Sequence, residues 1–148
     1  MGNLTELYQW LHDEGVYLFD WGLPFSNEKT KSASIRLKDT GTWGIFVDAG
    51  RLESRAEERV AMFHEAGHYT TGTTHEVCSP YDLIAKHERR ADRWAIQALV
   101  TEEELDDAVA AGHTDLWSLA EHFGVTEAFI RKAVCLYTYG NLATEMYF

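Results

Sequence analysis

The chain lacks most of what would mark a secreted, membrane or nucleic-acid-bound protein. Cysteine is scarce: two in 148 residues, Cys78 and Cys135, far apart and in no C-x-x-C pattern. That excludes a disulfide framework and reads as two thiols, with a single bridge as the alternative. No run of about 18 apolar residues occurs, so no helix is expected to span a membrane. The opening Met-Gly-Asn-Leu-Thr-Glu-Leu-Tyr has neither a basic n-region nor an apolar h-region, and is not a signal peptide. Positive charge is also short, 13 Lys and Arg against 24 Asp and Glu, for a formal net charge of −11. Such a balance disfavours a nucleic-acid surface or an anionic membrane as main partner and fits a basic or neutral protein better. Repeats, low-complexity tracts and linkers are absent. The expectation is a cytoplasmic, reduced protein with residues 1–148 in one domain.

What is present reads as an α+β chain. Hydrophobic content is 45% and charged content 25%, as in ordinary globular proteins. Residues 1–50 read as a helix plus a small antiparallel sheet. Asn3 and Glu6 form a capping box, Leu4, Leu7, Tyr8 and Leu11 keep helical spacing, and Gly15 ends the run. Strands are expected at Val16–Trp21, Ser34–Leu37 and Thr42–Val47, with Gly22–Lys31 a loop and Lys38-Asp39-Thr40-Gly41 a hairpin turn. About five helices follow, two of them carrying a metal site within 51–100 and the rest forming a C-terminal helical part over 101–140. Their expected N-caps are Ser54, Ser79 (ahead of Pro80), Thr101, Thr114 and Thr126, and their stops Gly72, Gly112, Gly124 and Gly140.

The chemistry gathers around His64-Glu65-Ala66-Gly67-His68, an H-E-x-x-H stretch. On a helix, His64 and His68 lie four residues apart on one face and can hold one ion, with Glu65 beside them for proton transfer. The next helix places Ile84, Glu88, Ala91, Asp92, Ala95 and Leu99 on one face. That face is apolar except for two carboxylates, and a buried carboxylate is paired or binds a cation. Neutralisation by Arg89, Arg90 or Arg93 is the plainer explanation, but those arginines mostly point elsewhere on the helix. The preferred assignment makes His64, His68 and Glu88 a His₂Glu ligand set for catalytic zinc, with a fourth position for water. Glu65 then acts as general base, and Asp92 orients a ligating histidine from outside the ligand set. Manganese or iron remain alternatives for such a site. His75 is a competing third ligand, but it lies one residue too far along for the pattern H-E-x-x-H-x-x-G-x-x-H. Tyr69, Tyr81, His75 and His87 are unranked candidates for steadying an oxyanion. His12, His113 and His122 read as ordinary surface or core residues.

The pairing of His64-Glu-Ala-Gly-His68 with Glu88-Arg-Arg-Ala-Asp92-Arg-Trp-Ala resembles the ImmA/IrrE family of metallo-endopeptidases. Glu88, Ala91, Asp92, Trp94 and Ala95 match the second of that family's two motifs. The resemblance extends from the first helix through the C-terminal helices. It implies a zincin-like fold, zinc-dependent peptide hydrolysis in the phage and mobile-element manner, and a helix-turn-helix transcriptional repressor as the protein substrate. The chain shows neither the appended sensor domain of the long radiation-response members nor a fused repressor domain. A target is therefore expected on a separate chain, with regulation from a partner, zinc supply or expression. In zincins the strand before the active helix often pairs with extended substrate, and Thr42–Asp48 takes that place; a plain core or edge strand is the alternative.

The rival from another class is a non-catalytic binding module. Leu119–Ile130 resembles a helix-turn-helix, with Ala120, Gly124 and Ile130 at its small, turn and core positions. Its second helix offers only Arg131 and Lys132 to a phosphate backbone, so a packed hairpin with Trp117, Phe123, Val125 and Ile130 as core is preferred over DNA binding. A degenerate peptidase that holds zinc and a partner without cutting is disfavoured by the intact Glu65.

Overall fold

A computed structural model describes residues 2–20, 31–36, 40–73 and 81–140, with Tyr81 and Asp82 described by backbone alone. Helix α1 spans Leu4–Asp13. Asn3 caps it by accepting from the Glu6 main-chain N–H, and Leu4, Leu7 and Leu11 turn inward. Gly15, at φ +80°, reverses the chain into β1, Tyr17–Asp20. Strand β2 is Ser32–Arg36 and β3 is Trp43–Val47. The expected loop over 22–31, apart from Lys31, and the first half of the hairpin turn, Lys38-Asp39, lie outside the described residues.

The sheet corrects the antiparallel expectation. Its order is β1-β3-β2, with β2 antiparallel to β3 but β1 parallel to it. Strand β3 has the most apolar sequence of the three, Trp-Gly-Ile-Phe-Val, and takes the centre, where both of its edges are paired. Trp43 and Ile45 are buried on the face toward the helices. Gly44 lies on the other face, where an added Cβ would meet Phe46 and Phe19 at 3.3 and 3.4 Å. With β3 between the other two, β1 aligns with it rather than meeting β2. The same order overturns Thr42–Asp48 as the substrate-pairing strand: both of its edges are already used.

Helix α2, Arg55–Thr71, starts at Ser54, whose hydroxyl accepts from the Glu57 N–H. It ends at Gly72 in the left-handed conformation, φ +65°. Helix α3 is Tyr81–Leu99, α4 Glu102–Ala110, α5 Leu116–Phe123 and α6 Glu127–Tyr139. Thr101 and Thr126 cap as expected. The cap of α5 is Asp115 rather than Thr114; its carboxylate accepts from the Ser118 N–H at 2.7 Å. Ser79 lies outside the described residues. One core runs through α1, β3, α2, α3 and the C-terminal helices. Phe129, Ile130, Ala133, Cys135 and Leu136 of α6 are buried in or beside it. Trp117 is not part of that core, being 67% exposed. Among the described residues no helix is long and apolar enough to cross a membrane.

Helices α2 and α3 pack closely at Gly67 and Ala91. A Cβ on Gly67 would lie 2.5 Å from the Ala91 carbonyl oxygen. This contact sets the face of α3 carrying Glu88 and Asp92 against the face of α2 carrying His64 and His68.

Candidate metal centre

His64 Nε2 and His68 Nε2 lie 3.2 Å apart. The Glu88 carboxylate reaches both, with one oxygen 2.8 Å from His64 Nε2 and the other 3.0 Å from His68 Nε2. One donor atom from each of the three residues falls within 4.8 Å of the others. Two donors on a tetrahedral ion with bonds near 2.05 Å stand about 3.3 Å apart. The nitrogen spacing therefore fits a single small divalent metal without rearrangement of the helices.

The far nitrogens explain why the near ones converge. His64 Nδ1 donates to Asp92 at 2.7 Å, and His68 Nδ1 donates to the Thr73 carbonyl at 2.9 Å. Both imidazoles are thereby set to offer Nε2 as the lone pair. The Thr73 contact follows from local sequence. Gly72 adopts the left-handed turn, the Thr73 N–H returns to the His68 carbonyl at 3.0 Å, and Thr73 is folded beneath the ring. Asp92 also accepts from Lys132 of α6 at 3.2 Å. The cation beside the α3 carboxylates thus comes from a helix 40 positions on, not from Arg89, Arg90 or Arg93; Arg93 donates instead to the Gly140 carbonyl.

Glu65 projects from α2 toward the sheet and is 4% exposed. Ser32 donates to one of its carboxylate oxygens at 2.6 Å and Ser34 to the other at 2.8 Å. A cavity of about 710 Å³ opens over the centre, lined by β2, by α2 from Glu57 to His68, and by Thr73, Glu88 and Thr126. Tyr69 does not line it: its ring meets Trp10 and Trp43 edge-on in the core. Nor does His87. His75 and the side chain of Tyr81 fall outside the described residues. His113 donates to or accepts from Ser118 and stacks near His122, away from the centre.

Sequence reading missed Ser32, Ser34, Thr73 and Lys132. The serines had a signal. Ser-Ala-Ser-Ile alternates small polar and apolar residues from position 32, but β propensity along the chain starts the strand at Ser34, which splits the pair.

Without a metal, the cluster balances its own charge. Burial disfavours the His64 imidazolium, but the hydrogen bonds to Asp92 and Glu88 outweigh it and push the pKa up to about 10. Burial likewise opposes ionisation of Glu88 and Asp92, yet their histidine partners hold both below the ordinary carboxylate range. The raised His64 value contributes stability that is complete below 6.5 and lost as pH climbs through about 10. The lowered carboxylates contribute stability present above 4.5 for Glu88 and 3.8 for Asp92, and lost on acidification. Chelator-treated protein should therefore show this network's full contribution between pH 4.5 and 6.5 and decline toward pH 10. Melting temperatures across that range check it, and an alkaline decline unchanged in Glu88→Gln would contradict it. Metal binding displaces the His64 proton, so affinity should rise with pH.

An H-E-x-x-H helix set against a glutamate of the following helix, the three residues near enough to hold one ion, is a metallopeptidase type of arrangement. Against known protein families the chain matches Peptidase_M78, the IrrE N-terminal-like domain, over residues 22–134, and it belongs to this ImmA/IrrE family of metallopeptidases. No curated protein and no solved structure matches it.

Proposed function

We propose that the chain is a zinc-dependent endopeptidase that cleaves a protein substrate, a helix-turn-helix transcriptional repressor carried on a separate chain being the target its family suggests. The observation that carries the reading is the convergence of His64 Nε2, His68 Nε2 and the Glu88 carboxylate, with Glu65 one residue from the first ligand. Zinc held there would lower the pKa of a bound water toward about 7 and polarise the scissile carbonyl. Glu65 takes the proton of the attacking water and passes it to the leaving amine. Asp92 holds His64 in the tautomer that leaves Nε2 free, and Lys132 keeps Asp92 ionised beside it.

The strand suited to an extended peptide is β2. It lies at the edge of the sheet and borders the cavity through Ser32, Ala33 and Ser34. Lys31 O accepts from Asp48 N at 2.8 Å. In an antiparallel ladder, bonded pairs alternate. Ala33 and Ile35 therefore follow Lys31 in pairing with β3, and the main-chain groups of Ser32 and Ser34 face the other edge, which no described strand occupies. A peptide added there passes directly over the metal centre.

A DNA-binding role for α5 and α6 is less well supported. Much of the would-be recognition helix is spent on the core, and Lys132 is engaged by Asp92.

Elemental analysis tests the site. Wild type should carry about one zinc per chain and Glu88→Ala much less, because a carboxylate ligand and the charge partner of both histidines go together. Stoichiometric zinc in Glu88→Ala would remove Glu88 from the ligand set.

A further inference from the structure

The described hydrogen bonds to the Glu65 carboxylate come from two hydroxyls on one strand. Ser32 Oγ donates to Oε2 at 2.6 Å and Ser34 Oγ to Oε1 at 2.8 Å. The last torsion of a glutamate is ordinarily broad, and a separate donor on each oxygen fixes it. Ser34 Oγ also lies 3.2 Å from the Glu65 carbonyl oxygen, which ties β2 to the backbone of α2 at the same residue. The pair arises from strand periodicity. Ser32 and Ser34 stand opposite Val47 and Ile45, so both side chains share the sheet face turned to α2.

We propose that Ser32 and Ser34 are positioning residues that hold both oxygens of Glu65 in the orientation from which it takes a proton at the His64–His68–Glu88 centre. The proposal rests on the peptidase reading above. Its geometry survives substrate binding. A peptide adding to the edge of β2 uses the main-chain groups of Ser32 and Ser34 and leaves their hydroxyls on Glu65. The strand that seats the substrate thereby also aims the base.

The test uses the zinc-loaded full chain as wild type, Ser32→Ala, Ser34→Ala, the double alanine variant, the double threonine variant, Glu65→Gln, and Glu65→Gln combined with the double alanine change. Three quantities are read: zinc per chain, the ¹³C resonance of the Glu65 carboxylate, and kcat and KM on fluorescein-labelled casein. The resonance is assigned by its absence in Glu65→Gln. About one zinc per chain is expected throughout. Each alanine variant should shift the resonance and lower kcat about tenfold, with KM nearly unchanged. Threonine, which keeps the hydroxyl, should restore both. The serine changes should add nothing in the Glu65→Gln background, because they act through Glu65.

A double alanine variant with wild-type kcat, or one whose loss adds in full to that of Glu65→Gln, overturns the proposal. A wild-type chain that holds zinc and cleaves no casein counts against the peptidase reading instead. The resonance then decides the positioning role, and an unchanged signal in the double alanine variant overturns it.

Discussion

Glu65→Gln is expected to lower turnover of the zinc-loaded chain by about 10²–10⁴-fold while leaving metal content unchanged. The substitution removes a proton acceptor and keeps the shape. Glu65 is buried, so a change that left the serines without partners would confound catalysis with folding. Glutamine avoids this. Its amide oxygen accepts from one hydroxyl, and its NH₂ donates to the other, which can rotate to receive it. Neither oxygen of Glu65 is needed by the metal, whose ligands are His64, His68 and Glu88 on this reading. Two measurements therefore separate cleanly: zinc per chain and kcat on fluorescein-labelled casein. Loss of zinc together with activity would show that Glu65 shapes the ligand set. Retained activity with retained zinc would sink the assignment of Glu65 as base.

The convergence of His64, His68 and Glu88 could be read from the sequence because much of its geometry is local. His64 and His68 are one helical turn apart, as are Glu88 and Asp92, and a helix fixes such spacings whatever surrounds it. The caps at Asn3, Ser54, Thr101 and Thr126 are local in the same sense. Most of what escaped reading was set by tertiary structure, Thr73, five residues after His68, being the local exception. Ser32 and Ser34 meet Glu65 across 33 and 31 positions, and Lys132 meets Asp92 across 40. No pattern along the chain says which strand will lie under which helix. The sheet order escaped for a related reason. A hairpin signal joins β2 to β3, but the position of β1 depends on which strand takes the centre of the sheet, and that is set by packing against the helices. Trp117 failed differently. Residue type alone places it in the core, whereas large aromatic residues do appear on surfaces and only packing decides the case.

Gly67→Ala is the change for which two physical effects disagree in sign, and their sizes decide the outcome. Inside a helix, alanine is favoured over glycine by about 1 kcal/mol, so propensity alone makes the substitution stabilising. At Gly67 the new Cβ would stand 2.5 Å from Ala91 O, 3.0 Å from Ala91 Cα and 3.1 Å from Ala91 C. Those atoms are backbone, at a residue that is fully buried, and no side chain can swing aside. Relief requires α2 and α3 to separate, and overpacking of this kind costs about 1–3 kcal/mol. The net effect on stability is therefore a loss of up to about 2 kcal/mol, modest enough for the chain to fold. The effect on the metal centre should be larger. Ala91 lies one residue before Asp92 and three after Glu88, so moving α3 off α2 displaces the carboxylate facing both Nε2 atoms and the one orienting His64 together. A loss of about 10–100-fold in metal affinity is expected, the range seen when supporting residues of a metal site are disturbed. Competition with a chromophoric chelator measures it, beside a thermal melt. Wild-type affinity with an altered melting temperature would show that the helices can part without moving Glu88. Unchanged values in both would mean that the close approach of α2 and α3 does not position the site.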